Sequence, residues 1–359
     1  MKSDVYFTKK NDREEDESLC RRLEKALREK DFLNIIGAKD FVAIKTHFGE
    51  QGTKGYVRPL FLKMLGKLIR EKQGVPFLTE TSTLYTGRRS NAIGHLELAQ
   101  EHGFRFEHTG MSIVMADGLL GNEEEEVAIP GKLYQKVNLA AVIVRANALV
   151  LVSHFTGHLA TGFGAALKNL GMGCSSRKGK LNQHSTAKPS ITKDKCTGCG
   201  ECLPWCPEQA ISLPDAVAVI DSEKCIGCGE CLTVCRYGAI GYNWGATYLE
   251  LQQKVTEHAF GVVKTKPGKL LCLNFLTRIT KDCDCLGNNF NLIVPDIGVL
   301  ISTDPVALDA ASLDLVEQKA GKPLGKLAFD IPCREQLEHA RAIGFGSPEY
   351  SLQEIAVKA

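Results

Sequence analysis

Apolar residues recur along this chain in two rhythms, one helical and one of short continuous runs. Leu19 to Lys30 carries Leu19, Leu23, Ala26 and Leu27 at helical spacing with charge on the other face, so it reads as an amphipathic helix. The charges before it, Lys9 to Glu17, read as a solvated loop or the helix start. Phe41 to Thr46 is an apolar run of strand type that leads into His47 and a glycine-rich turn, Gly49 to Gly55. Pro59 opens a second helix, in which Leu60, Phe61, Met64, Leu65, Leu68 and Ile69 make one face and Gly74 follows the stop. Val75 to Thr79 is the next strand and Ser90 to His102 the next helix. Glu123 to Glu126 reads as an acidic surface turn, Ala148 to Ser153 as a buried strand, and Gly162 to Leu170 as a helix.

The same alternation returns late in the chain. A helix is expected from Tyr248 to Val263, strands at Lys269 to Phe275 and Ile297 to Ser302, and a helix from Val306 to Lys319. Asp304 as N-cap with Pro305 at the first helical position marks where that last helix begins. Strands separated by helices of this length need crossover connections. The expected fold is therefore α/β, a mostly parallel sheet with helices on both faces.

Between the two α/β stretches the pattern breaks. Arg177 to Pro189 is polar, basic and proline-ended, and reads as a linker. Two cysteine runs follow: Cys196, Cys199, Cys202, Cys206, then Cys225, Cys228, Cys231, Cys235. Each has the form Cys-x-x-Cys-x-x-Cys-x-x-x-Cys, and the flanks repeat as well, Lys195 matching Lys224 and Ala210-Ile211 matching Ala239-Ile240. This is the spacing of bacterial-type ferredoxins, in which thiolates hold cubane 4Fe–4S clusters and the fourth cysteine of each run ligates the other cluster. One cluster is expected on Cys196, Cys199, Cys202 and Cys235, the other on Cys225, Cys228, Cys231 and Cys206. Zinc held by four cysteines seldom uses so close a triple-plus-one spacing. Pro207 follows the first run but Arg236 the second, so the cluster held partly by Cys235 is expected to be the easier to reduce.

The chain thus divides into residues 1–186 and 244–359, two segments of an α/β body, and residues 187–243, a small α+β ferredoxin-type domain. Similar character on both flanks suggests one interrupted domain, with two separate flanking domains as the alternative. The net charge of +2 and 24% charged residues leave no whole-chain footprint for nucleic acid or membrane. Of 14 cysteines, eight fall in the cluster spacing, and the first residues carry no apolar core of a signal peptide. Reduced thiolates point to the cytoplasm. The most apolar stretch, Leu139 to Val152, is too short to span a bilayer and contains Arg145 and Asn147.

Three further features could form a site. Ser153 to Gly173 runs from a strand end through a glycine-rich turn into a helix, an arrangement that presents free amides to an anion. Within it His154, His158 and Lys168 are the candidate catalytic groups, although each histidine could simply satisfy local hydrogen bonds. Asp282-Cys283-Asp284-Cys285 sets two soft sulfur ligands together, for an additional metal ion, a redox-active thiol pair or a structural role. The third feature is His47 at one strand end, a candidate metal ligand with Cys283 and Cys285, and Glu80 to Ser82 at another. Ligands bind at the carboxyl ends of parallel strands, where these residues would meet. Arg177, Lys178 and Lys180 suit either a solvated linker or a small anionic substrate.

Together these segments resemble the domain-of-unknown-function 362 family, in the form that carries an inserted ferredoxin module. The carriers are His154 to Gly173 with Lys168-Asn169-Leu170-Gly171, the Asp282 to Cys285 run, and Asp296 to Asp309. The resemblance implies the cluster ligands and an α/β body and supplies no reaction. The expected function is electron transfer through two 4Fe–4S clusters, to or from a site in the body, with a redox protein or a small anionic substrate as partner. An oxidoreductase is the enzyme version. A non-enzymatic electron-transfer subunit, or an accessory protein that handles metal or clusters, is the alternative.

Overall fold

Eight strands collect into one sheet: β1 (Ser3–Lys9), β2 (Phe41–Lys45), β3 (Val75–Glu80), β4 (Ile113–Met115), β5 (Ala148–His154), β6 (Leu270–Leu276), β7 (Gly298–Ser302) and β8 (Tyr350–Glu354). The computed structural model describes residues 2–85, 87–184, 189–225, 229–241, 247–287 and 291–355. The strand order is β8-β1-β7-β6-β5-β2-β3-β4. Only β7 runs against the rest, pairing antiparallel with both β1 and β6. The mostly parallel α/β fold that the alternation predicts is the one observed. Strands from both sides of the cysteine runs share this sheet, since β5 and β6 pair in parallel with Leu149 opposite Leu270.

The principal helices are α1 (Asp16–Glu29), α2 (Pro59–Glu71), α3 (Ala92–Glu101), α4 (Ala166–Gly171), α5 (Arg177–His184), α6 (Tyr248–Lys264), α7 (Pro305–Ala320) and α8 (Glu335–Ala342). Side chains alternate across a strand, so successive residues feed opposite cores. Val150 and Val152 pack under α1, α2 and α3, while Leu149 and Leu151 face α4, α6, α7 and α8. Burial on both faces explains why the central strands are continuous apolar runs rather than alternating ones. Among the described residues no helix is long and apolar enough to cross a membrane.

Several local expectations are corrected. The expected linker contains a packed helix, α5, with Arg177, Lys180, Leu181 and Gln183 buried. Its polar residues point inward to partners supplied by distant segments, which local composition does not reveal. The acidic turn is instead a strand, Glu124–Ala128, paired with Lys136–Ala140, and Glu124 accepts hydrogen bonds from Ser176 and Asn138. Gly162–Gly164 is a short strand paired with Thr156–His158, and helix begins only at Ala166. The edge strands β4 and β8, and β1 beside β8, are short or polar enough to have escaped the apolar pattern.

The cysteine-bearing stretch stands outside the sheet. Ser190–Ile191 pairs with Ile240–Gly241 and Ile211–Ser212 with Val219–Ile220, around a small core of Cys202, Ile211, Ala218, Cys231, Val234 and Ile240. It meets the body where Gly229 touches α5. Gly229 has φ +76°, and a Cβ there would stand 2.4 Å from Leu181 Cδ2.

Candidate functional site

The chain passes β2, β3 and β4 outward in order, then returns to the other side of β2 as β5. The sheet therefore has a topological switch between β2 and β5, where the carboxyl ends open a crevice. A cavity of about 600 Å³ occupies this place, lined by Lys45 at the end of β2 with His47 just beyond it, Glu80 at the end of β3, and Ser153 and His154 at the end of β5. Helix α4 contributes Lys168 and Asn169, α5 contributes Lys180 and His184, and the loop after β6 brings Cys283 and Cys285.

The floor is a buried ionic network. Lys45 Nζ lies 2.5 Å from Glu80 Oε1 and donates to Asn169 Oδ1 at 2.8 Å. Asn169 is in turn oriented by Val152 O and Ser153 Oγ. Lys180 Nζ donates to Thr81 Oγ1, Ser82 O and Ser175 O, so all three of its protons are placed. Burial brings the Lys180 ammonium down to about 8, and it does the same to Lys168. Lys168 differs in its surroundings: the side-chain partner it reaches is Cys283 Sγ, at 4.0 Å.

The histidines have separate fates. His154 Nδ1 lies 2.7 Å from Asp284 Oδ2 and Nε2 lies 2.8 Å from Thr277 O, so neither nitrogen is left for a metal or substrate. Its part is to hold Asp284, the residue between the two cysteines. His47 Nδ1 accepts the Gly49 N–H at 2.9 Å, and Nε2 sits 3.0 Å from Arg89 Nη1. Arg89 also bonds Glu50 Oε2 at 2.9 Å and the Tyr85 hydroxyl. His158 Nδ1 accepts the amides of Ala160 and Thr161 at 3.1 and 3.0 Å. Burial, then the charge of Lys168, hold its pKa well below the ordinary range, so the ring is neutral with its proton on Nε2.

The histidine brought to the cysteine pair is thus His158 and not His47: its ligand atom and the two sulfurs lie within 4.8 Å of one another. The sulfurs of Cys283 and Cys285 are bonded to each other. Gly55 explains part of the glycine-rich turn after β2, because a Cβ there would meet Asp284 Oδ1 at 2.3 Å.

The amides expected to be open to an anion are occupied. Asp309 of α7, fully buried, accepts from Ala166 N at 2.9 Å and Leu167 N at 2.8 Å and is fixed by Asn274 Nδ2 at 2.7 Å. Lys45 and Arg89 are site residues that sequence reasoning passed over. Lys45 had a legible signal, a charge ending an apolar strand. Arg89, in a polar loop, had none.

The cysteine runs converge crosswise. Cys196, Cys199 and Cys202 line one small cavity together with Cys235. Cys225 and Cys231 line another with Cys206. Cys228 lies outside the described residues. Burial, then the neighbouring thiols of Cys199, Cys235 and Cys196, push the Cys202 thiol up. Ala210 N–H donates to Cys206 Sγ at 3.2 Å and Ala218 N–H to Cys196 Sγ at 3.3 Å. Arg236 is 78% exposed, with Nε 3.4 Å from Glu201 Oε2, so its charge is screened and paired.

No curated protein sequence matches the chain. The lactate racemase apoprotein from Thermoanaerobacterium thermosaccharolyticum aligns at TM-score 0.40 and 14% identity, over 77% of this chain and 51% of that one. A crystal structure of a protein from Thermotoga maritima aligns at TM-score 0.47 and 11% identity, over 87% of this chain and 60% of that one. This chain therefore spans about half the length of the first structure and three-fifths of the second. The family described as Domain of unknown function (DUF362) matches residues 42–314, from β2 through the cavity and the cysteine runs into α7, and the chain belongs to that family.

Proposed function

We propose that this is an iron–sulfur protein that binds two 4Fe–4S clusters and transfers electrons to or from the cavity of its α/β body. The observation that carries the reading is the crosswise convergence of the cysteines: Cys196, Cys199 and Cys202 with the fourth cysteine of the second run, and Cys225 and Cys231 with the fourth of the first. That exchange of the fourth ligand belongs to two-cluster bacterial ferredoxins. Cys196, Cys199, Cys202 and Cys235 would hold one cluster, and Cys225, Cys228, Cys231 and Cys206 the other. The donor set fits, since all-thiolate ligands in an apolar pocket suit iron–sulfur chemistry and not a hard cation. When bound, such clusters act as one-electron carriers. The chain's own contribution is to exclude water with Ile211, Val234 and Ile240 and to aim the Ala210 and Ala218 amides at ligand sulfurs. Hydrogen bonds of that kind favour the more negative, reduced state.

The cavity supplies the place where electrons are used. Lys45, Arg89, Lys168 and Lys180 line it against the carboxylates of Glu80 and Asp284, an excess of positive charge that suits a small anionic substrate. An oxidoreductase in a reducing, cytoplasmic compartment is the resulting reading. Anaerobic reconstitution tests it: about eight iron and eight sulfide per chain are expected, four of each per cubane. Cys206→Ala should remove the same cluster as Cys225→Ala, as judged by electron paramagnetic resonance. Zinc without sulfide, or a Cys206 variant that loses the cluster of its own run, would overturn the reading.

A further inference from the structure

We propose that Cys283 and Cys285 form a redox-active dithiol–disulfide couple at the cavity wall, reduced through the clusters, with Lys168 holding the Cys283 thiolate. The electron supply rests on the cluster reading above; the couple itself does not.

Four observations carry it. First, the two sulfurs are bonded across a single intervening residue. A disulfide stabilises a fold by restricting the unfolded chain, an effect that grows with loop length, so this bond does least as a staple. In a compartment reducing enough for cluster thiolates, disulfides are usually transient and catalytic. Second, both cysteines line the cavity, and Lys168 Nζ reaches Cys283 Sγ at 4.0 Å while the Cys285 amide donates to the same sulfur at 3.3 Å. A neighbouring cation and an N–H donor are the features that favour a thiolate.

Third, the loop between the sulfurs is fixed independently of the bond. Asp284 is held by His154 through its carboxylate and by Glu50 N–H through its carbonyl at 2.9 Å, and Tyr85 Oη donates to Cys285 O at 3.1 Å. The sulfurs can therefore part and rejoin without the backbone moving away. Fourth, α5 connects the two centres. Leu181 touches Gly229 in the second cysteine run, while Lys180 and His184 on the same helix line the cavity.

The step balances as follows. A low-potential one-electron donor protein delivers two electrons in turn through the clusters. The S–S bond breaks, Cys285 takes one proton to become a thiol, and Cys283 remains a thiolate beside the Lys168 ammonium. A second proton gives the dithiol, and a small anionic two-electron acceptor bound in the cavity then takes up both electrons and both protons as the S–S bond re-forms. Metal binding by His158 and the two sulfurs is the rival. It is disfavoured because His158 Nδ1 already accepts two amides, which leaves Nε2 protonated and without a free lone pair.

The full chain equilibrated anaerobically against dithiothreitol redox buffers, quenched in acid and alkylated, provides the test. The peptide carrying Cys283 and Cys285 should pass reversibly between no label and two labels in one two-electron step. Two labels at every poise, or none at any, overturns the proposal, and so does a metal ion lost with Cys283→Ser whose chelation alone exposes the thiols. This titration needs no clusters, so its failure is distinct from failure of the cluster reading. Reduced methyl viologen should then open the pair to alkylation at least about ten-fold faster in the reconstituted protein than in protein stripped of iron; equal rates would sever the couple from the clusters. In the reduced protein, Lys168→Met should slow alkylation near pH 7 by about ten-fold, one unit of thiol pKa, and Lys168→Arg should restore it. An unchanged pH profile removes Lys168 from the proposal, and the wild-type titration stands whether or not that variant folds.

Discussion

Lys168 combines function and cost in one residue. Burial holds its ammonium at about 8, below the ordinary 10.5, so between those values the folded chain binds fewer protons than the unfolded one. Its contribution to stability therefore rises with pH through that window. Lys168→Met has no charge to bury and should be more stable than the parent near pH 7 by about 1–3 kcal/mol, an advantage that disappears by about pH 10.5. Urea unfolding at the two pH values measures this, and an equal gap at both would discount charge burial as the cause. Asp309 presents the opposite case. Asp309→Ala leaves the amides of Ala166 and Leu167 and the Asn274 side chain without their acceptor. A loss of about 3–5 kcal/mol in unfolding free energy is expected; a loss below 1 kcal/mol would mean that water replaces the carboxylate. Asp309 also shows why the glycine-rich turn misled: the group that fills its amides lies 143 residues away from Ala166.

Element by element, the apolar rhythm located most of the sheet's central strands and the long helices, because each buries a continuous or periodic face. It began α4 four residues too early and missed α5, where polar residues turn inward. The seat of α4 depends on Gly171, whose missing Cβ would stand 2.0 Å from Val255 O of α6. Backbone cannot yield as a flexible side chain does, so Gly171→Ala should push α4 from α6 at a cost of about 2–4 kcal/mol. Because α4 carries Lys168 and Asn169, the same substitution should disorder the cavity floor. Denaturation measures the first effect, and retention of wild-type stability would show that α4 can shift freely.

The whole molecule joins a large core to a small one. The sheet is sealed on both faces by apolar clusters, whereas the cysteine-bearing unit has, among the described residues, eight buried apolar residues, two of them cysteines. On the proposed cluster reading, a unit this small draws much of its folding free energy from its metal. Removing iron should therefore raise amide exchange across residues 189–225 and 229–241 while the sheet keeps its protection. Equal protection with and without iron, followed by hydrogen-exchange mass spectrometry, would contradict that division.

By itself the sequence determined what repeats locally: the α/β alternation, the two cysteine runs, and the crosswise grouping of cysteines that their spacing predicts. These are legible because helix period, strand burial and ligand spacing all act over a few residues. Tertiary structure alone decided the site. The strand order places β2 beside β5 and so opens the cavity there, and it selects His158 over His47 as neighbour to the cysteine pair. It also sets Lys168 against Cys283 across 115 residues of chain. Such meetings depend on which strand ends become adjacent, and no local pattern of apolar and polar residues encodes that order.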